Sequence, residues 1–299
     1  MNILLIGGNG YIGSKFYQLY KNIYNITSID MGMFHNDLGY SVDINYNKLT
    51  DINQYDAIIC LAGHSSVRMC EDSPNTSWQN NVDYFHNLCD KITNQKLIYA
   101  SSASVYGKAT GVSNEKSEIN FNVMNHYDLQ KITIDLIANK YINKGKDIIG
   151  LRFGTVNGAS INTRSDLMIN SMVKSAIETN QVHAKNLNIR RAILGINDAC
   201  RAISEIITSD INPGQYNLAS FNSTVSEIAN TVCDILGAKL IKNPDDLNVY
   251  DFELDTRQFT NNTDFVFTDT IPSLVEELKT NYNGINFETR THDRKFRLQ

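Results

Sequence analysis

The feature that most limits what this chain can become lies in its first thirteen residues, where an apolar run, Ile3-Leu4-Leu5-Ile6, leads directly into Gly7-Gly8-Asn9-Gly10-Tyr11-Ile12-Gly13. A short continuous apolar run suits a strand buried on both faces. The glycines that follow allow a tight turn into a helix, let backbone amides approach a pyrophosphate, and let the helix lie close to the strand. A phosphate then sits at the helix N-terminus, where unpaired N–H groups converge. Such a turn alone is a weak signal. A second apolar run, Ile26 to Ile29, strengthens it by ending at Asp30, 17 residues past Gly13, close to where an acidic residue meets the adenosine ribose hydroxyls of a dinucleotide. A carboxylate there accepts from a 2′-hydroxyl and repels a 2′-phosphate. Neither Met31 nor Gly32 offers a compensating cation, so NAD is expected over NADP.

Further apolar runs at Ala57 to Ala62, Leu97 to Ala100 and Ile148 to Phe153 alternate with amphipathic stretches. This is the pattern of an α/β fold, a doubly wound Rossmann-type parallel sheet covered on both faces. Ligands of such sheets bind beyond the carboxyl ends of the strands. That rule singles out the glycine turn, Asp30, Leu61-Ala62-Gly63-His64-Ser65-Ser66, Ser101-Ser102-Ala103-Ser104 and Phe153-Gly154-Thr155. After about residue 156 the alternation becomes irregular, although Gln215 to Leu218 reads as a strand and Thr224 to Leu236 as a capped helix. We therefore expect an NAD-binding Rossmann domain over 1–160 with a return segment at about 190–221. A smaller mixed C-terminal substrate-binding domain and tail would come from 161–189 and 222–299.

Composition excludes more than it identifies. The 299 residues, 42% of them hydrophobic, can bury a large core, and a net charge of −5 gives no global attraction to nucleic acid or an anionic membrane. The five cysteines, Cys60, Cys70, Cys89, Cys200 and Cys233, are scattered without a CxxC spacing. Neither a disulfide framework nor a metal centre is expected. The chain opens on its first strand and holds no apolar stretch long enough to cross a bilayer, so a cytoplasmic protein is expected.

Far downstream stands Tyr127-Asp128-Leu129-Gln130-Lys131. Residues four apart on a helix share a face, so Tyr127 and Lys131 can address one ligand. Removing a hydride from a carbinol carbon requires loss of the hydroxyl proton as well, and a phenol, with an ordinary pKa of about 10, is a poor base at neutral pH. An ammonium about 4 Å away favours the phenolate by about 4 kcal/mol at an effective dielectric of 20, which makes Tyr127 a usable base. Ser102, 25 residues upstream at a strand end, can hydrogen-bond the same substrate oxygen.

Taken in order, Gly7-x-x-Gly10-x-x-Gly13, Asp30, Asp43-Ile44, Leu61-Ala62-Gly63, Asn80-Asn81-Val82, Ser101-Ser102-Ala103-Ser104-Val105-Tyr106-Gly107, Tyr127-x-x-x-Lys131 and Leu151-Arg152-Phe153 resemble the extended short-chain dehydrogenase/reductase family. The likeness is to its nucleotide-sugar epimerase/dehydratase branch and runs to roughly Thr280. The resemblance implies a catalytic set of Ser102, Tyr127 and Lys131. It implies NAD held by Gly7, Gly10, Tyr11, Ile12, Gly13, Asp30, Asp43, Ile44, Leu61, Ala62, Gly63, Ser65 and Asn81, with Tyr127 and Lys131 also touching it. A nucleotide-diphosphate sugar would meet Ser104, Thr155 and Arg191, the last as a diphosphate grip that Arg190 could share.

Absences narrow the reaction. Family dehydratases carry an Asp-Glu pair directly after the hydroxyl residue, and Ala103 and Ser104 stand there instead. Without an acid to protonate a leaving hydroxyl, elimination loses its assistance. The thiol that 3,5-epimerase/4-reductases use is also missing. A 4-epimerase or a C4 dehydrogenase/reductase remains, with the epimerase favoured and a non-catalytic NAD-binding sensor or scaffold as the minor alternative. Gly154-Thr155 replaces the family's Phe-Asn, Asn157 stands where Tyr is common, and Asp128 and Gln130 depart from the usual Tyr-Gly-x-Ser-Lys. His64 and His126 read as polar residues supporting the site, and the basic stretch Arg290 to Arg297 as a solvated end. The family forms homodimers through two helices per subunit. Here the matching segments, Trp78 to Ile92 and Tyr127 to Asn143, carry Phe85, Leu88, Ile132, Leu136 and Tyr141 at helical spacing.

Overall fold

The computed structural model describes residues 1–31, 51–107, 109, 111–119, 121–122, 125–246 and 249–288. Six strands form its main sheet: β1 (Asn2–Ile6), β2 (Asn25–Ile29), β3 (Ala57–Cys60), β4 (Lys96–Ser102), β5 (Ile148–Phe153) and β6 (Gly214–Leu218). They lie in the order β6-β5-β4-β3-β1-β2, and every neighbouring pair is parallel. Four helices cover the sheet: α1 (Tyr11–Tyr20), α2 (Tyr84–Lys91), α3 (His126–Ile142) and α4 (Ile196–Thr208).

Alternate strand residues face opposite ways, which divides the apolar runs between two cores. Ile3, Leu5, Ile59, Ile98 and Ile149 pack with Phe16 of α1 and with Ile196, Ile203 and Ile206 of α4. Leu4, Ile6, Ile58, Leu97 and Tyr99 meet Phe85 and Leu88 of α2 and Ile134, Ala138 and Tyr141 of α3. At about 1.5–3 kcal/mol for each fully buried aliphatic or aromatic side chain, these two layers drive the fold. Because β1 pairs with β2 on one side and β3 on the other, the chain order reverses at β1. The connections leaving β1 and β3 diverge there, and a crevice opens beyond their carboxyl ends.

The remainder packs around a third core, in which the helices Met168–Thr179, Val225–Leu236 and Ile271–Thr280 bury one another's apolar faces. Beside it Arg190–Gly195 runs parallel to Thr155–Asn157 and antiparallel to Phe221–Thr224. The strand expected at 215–218 is β6. The expected helix at 224–236 begins with a reciprocal capping box between Thr224 and Glu227.

One expectation needs correction. The segment from Trp78 to Ile92 is interrupted by a single π-turn, Gln79–Asp83, before α2 begins. Of the apolar residues expected to face a second subunit, Phe85, Leu88, Ile132 and Tyr141 are buried in the chain's own cores. Leu136, 49% exposed, faces outward with Leu129. Helical spacing marks an apolar face but does not say which neighbour covers it.

Candidate active site

A cavity of 530 Å³ occupies the crevice, lined on one side by the glycine turn and on the other by Ser102, Tyr127 and Lys131. Ser102 ends β4, where its Oγ accepts the Ser104 N–H at 3.2 Å and caps the short turn Ala103–Tyr106. Tyr127 and Lys131 occupy the first two turns of α3, whose N-terminus is fixed by the Asn125 side chain accepting the Asp128 N–H at 2.9 Å. The Lys131 ammonium donates to the Ala100 carbonyl at 2.7 Å and lies 5.5 Å from the centre of the Tyr127 ring. The hydroxyl, the phenol and the cation therefore all line one cavity.

A buried polar network behind them sets their spacing. Asp135 of α3 accepts from Tyr99 Oη at 2.8 Å and from Arg152 Nε at 2.9 Å. Arg152 Nη1 in turn donates to Tyr106 Oη at 3.0 Å, and that phenol donates to Asn217 of β6 at 2.7 Å. The network joins the helix carrying Tyr127 and Lys131 to the turn that follows Ser102.

The glycine-turn side fits a dinucleotide. Helix α1 starts at Gly10 with no side-chain cap and no acidic residue in its first turn, so its leading N–H groups remain available to a phosphate. Gly7 has φ +93°, and a Cβ there would lie 2.6 Å from the Ala62 nitrogen; one on Gly13 would lie 2.2 Å from the Gly7 carbonyl oxygen. Only bare backbone allows this closure against the segment after β3. Buried Asp30, just past β2, accepts the Asn9 N–H at 2.9 Å. The Asn9 side-chain amide is fully buried with neither polar atom bonded, a pairing capacity that a polar ligand would satisfy. Gly7, Gly10, Tyr11, Ile12, Gly13, Leu61, Ala62, Gly63 and Ser65 all line the cavity. Asp43 and Ile44 lie outside the described residues.

Comparison with known proteins now decides the family. The pattern of the NAD dependent epimerase/dehydratase family matches residues 3–219. The chain belongs to that family. It is an NAD-dependent enzyme. Protein CapI of Staphylococcus aureus is 27% identical over 245 residues, covering 72% of each chain. UDP-glucose 4-epimerase of Mycoplasma genitalium is 28% identical over 235 residues, covering 67% of this chain and 69% of that one. MoeE5, solved in complex with UDP-glucuronic acid and NAD, superposes with a TM-score of 0.81 at 19% identity, covering 94% of this chain and all of that one.

The structure accounts for this family member's departures from the usual motif. Asp128 is buried and accepts from Tyr250 Oη at 2.8 and 2.9 Å, tying the start of α3 to a residue 122 positions away. Burial, with Asp128 beside it, holds the Tyr250 phenol above its ordinary pKa. Gln130 donates to Ser77 Oγ at 2.8 Å and accepts from Asn81 Nδ2 at 2.6 Å. Asn157 bonds inward, its Oδ1 accepting the Ile169 N–H at 2.9 Å. A Cβ at Gly154 would lie 2.8 Å from the Ala192 carbonyl oxygen, so the substitution there makes room for the neighbouring strand.

Asn81 is placed differently from the sequence expectation. From its π-turn it holds the backbone of His64, accepting the N–H at 2.7 Å and donating to the carbonyl at 3.1 Å, and it does not line the main cavity. Its work is to position the Gly63–Ser66 loop. His64 is thereby fixed through its backbone, and His126 through its N–H to the Glu71 carboxylate at 2.7 Å.

On the substrate side Ser104, Thr155 and Arg191 line the cavity. Ser104 Oγ and Arg191 Nε are buried without hydrogen-bond partners, and burial lowers the pKa of the Arg191 guanidinium. Arg190 instead points to Asp251 and Glu253, at 3.6 and 3.4 Å, outside the cavity lining. Sequence reasoning missed Asn9, Arg164 and Tyr250. The unpaired Asn inside a glycine turn was a readable signal, whereas Arg164 and Tyr250 reach the cavity only through the tertiary fold. Among the described lining residues the charges are Arg68, Lys131, Arg164 and Arg191 against Asp166 alone, a field that favours a diphosphate.

Proposed function

We propose that this enzyme is a nucleotide-sugar 4-epimerase that works by transient hydride removal at sugar C4, with Tyr127 as the base. The observation that carries this reading is the composition of the cavity. Ser102, Tyr127 and Lys131 converge there, while the positions after Ser102 are Ala103 and Ser104, and the one described lining carboxylate, Asp166, is gripped by Arg164 at 2.7 and 3.0 Å. Among the described lining residues there is one proton-transfer centre and no free acid for expelling a second hydroxyl.

In this reading Arg191 holds the diphosphate of the substrate, and Ser104 and Thr155 meet its sugar. Tyr127 takes the proton of the C4 hydroxyl while Ser102 hydrogen-bonds the same oxygen, and Lys131 stabilises the phenolate. NAD, held by the glycine turn, would supply a reversible hydride acceptor for C4. Once the 4-keto sugar has turned its other face to the hydride donor, the hydride would return to C4 from that face while Tyr127 gives its proton back to the C4 oxygen, so no net oxidation results. The family relative UDP-glucose 4-epimerase carries that reaction in its name.

The test is to supply UDP-, GDP-, CDP- and dTDP-sugars without added NAD, and to follow both the sugar product and absorbance at the NADH band. Inverted sugar with no net NADH is the expected result. Accumulating NADH with a stable 4-keto product would replace this reading with a C4 dehydrogenase.

A further inference from the structure

At the glycine-turn end of the cavity, one side chain joins the two walls. Arg164 ends the short strand Asn162–Arg164, and its Nη1 donates to the Ser65 carbonyl at 2.8 Å on the loop after β3. Its Nε and Nη2 grip Asp166 at 3.0 and 2.7 Å, which orients the guanidinium, and its side chain is 13% exposed. The Arg164 backbone is anchored on the opposite wall. Asn170 Nδ2 donates to the Arg164 carbonyl at 2.9 Å and to Tyr11 Oη at 3.1 Å, and Tyr11 Oη donates to the Gly158 carbonyl at 2.7 Å. Asn162 Nδ2 also donates to the Asn9 carbonyl at 2.7 Å.

These bonds close a ring. It runs from β1 through the glycine turn to Tyr11, across Asn170 to Arg164, over to Ser65, and back along the loop to β3, which pairs with β1. Gly7, Gly10, Tyr11, Ser65 and Arg164, which lie along it, all line the cavity where the leading N–H groups of α1 are open to a phosphate. Within that ring, Arg164 to Ser65 is the link that reaches the loop after β3.

We propose that Arg164 is a strap across the dinucleotide channel, retaining the cofactor by bonding Ser65 and opening when NAD enters or leaves. Retention suits a reaction that returns its hydride each turn, and the inference rests on the cleft holding NAD as the proposed function requires. A strap differs from an ordinary phosphate contact in its kinetics. Removing a contact speeds release alone. Removing a strap speeds both release and entry.

The test uses the full chain and its Arg164→Gln and Arg164→Lys variants. NADH binding is followed by stopped-flow fluorescence, and release by displacement with excess NAD. A lysine keeps the charge but carries its donors on one nitrogen and lacks the planar fork that reaches Ser65 and Asp166 from three separate nitrogens, so the two variants separate charge from bridging. Should Arg164→Gln fail to fold by thermal unfolding, Arg164→Lys carries the measurement. The expected result is release at least about tenfold faster and entry faster as well, in both variants, with the dissociation constant changing less than either rate. Rates within twofold of the unaltered protein, or faster release with unchanged entry, would overturn the strap. Failure of the unaltered protein to bind NADH would instead overturn the underlying reading of the cleft.

Discussion

The buried pair Arg152–Asp135 offers the sharpest test of how helix α3 is held. Both side chains are almost wholly inaccessible, at 4% and 0% exposure, with Nε and Oδ2 2.9 Å apart. Burial works against the Arg152 charge, but Asp135 and Tyr106 beside it outweigh that and hold the guanidinium above its ordinary pKa. Arg152→Met removes the cation and leaves the Asp135 carboxylate buried with the Tyr99 hydroxyl. Breaking a buried pair from one side costs about 3–5 kcal/mol, against about 0–1 for an exposed pair. At about 2–4 °C per kcal/mol the midpoint of unfolding should fall on the order of 10 °C. Replacing both partners by apolar residues, Asp135→Leu with Arg152→Met, removes both charges together. The Tyr106 hydroxyl still donates to Asn217, and Tyr99 still accepts from Gln215 at 3.3 Å. The double variant should therefore be more stable than Arg152→Met alone. Chemical denaturation read by circular dichroism gives the four free energies of the cycle. A loss below about 1 kcal/mol for Arg152→Met, or strict additivity in the double variant, would refute the argument.

Further outcomes follow from the site. Tyr127→Phe should lower turnover by about two to four decades while leaving NAD binding nearly intact, and near-normal turnover on a verified substrate would remove Tyr127 as the base. Asp30→Ala should relax a strong preference for NAD over NADP, measured by titration calorimetry; equal affinities in the unaltered protein would contradict the role given to Asp30. Burial pushes the Cys60 and Cys70 thiols up to about 11, so an alkylating reagent at pH 8 should spare both in the native protein, with their reactivity rising only as pH approaches that value, and modify all five cysteines after unfolding. We also propose a homodimer through the outward face of α3, where Leu129 and Leu136 are 38% and 49% exposed; light scattering should show a dimer at micromolar concentration, and Leu136→Glu should dissociate it.

The sheet was legible because its strands are continuous apolar runs, and nothing else in a chain of this composition packs Ile3 to Ile6, Ile58-Ile59 and Ile148-Ile149 so economically. The glycine turn, Ser102, Tyr127 and Lys131 were legible because their chemistry depends on local spacing. Asn81 and Tyr250 were not. Asn81 sits in a π-turn that helical periodicity cannot register, and Tyr250 meets Asp128 across 122 residues of chain. Helix α3 misled for a related reason: its buried residues include Asp128, Gln130 and Asp135, which lie on different sides of it, so an apolar stripe is a poor guide to which way the helix faces.

Those buried polar residues have a mechanical consequence. Apolar packing is non-directional, and a helix held by it alone can turn slightly about its axis with little change in buried area. Hydrogen bonds weaken steeply away from good geometry. Helix α3 is bonded in three directions: Asp128 to Tyr250 on the substrate side, Gln130 to Ser77 and Asn81 beneath the Gly63–Ser66 loop, and Asp135 to Tyr99 and Arg152 in the sheet. Tyr127 and Lys131 lie among these anchors. Rotating the helix enough to carry Tyr127 out of the cavity lining would strain all three sets of bonds at once. The buried charge of Asp135 costs stability that an apolar residue would not, and in return the helix that carries Tyr127 and Lys131 is held in one orientation. Arg152→Met should for that reason lower turnover more than it weakens NAD binding, since the anchor it removes orients the catalytic helix and not the glycine turn.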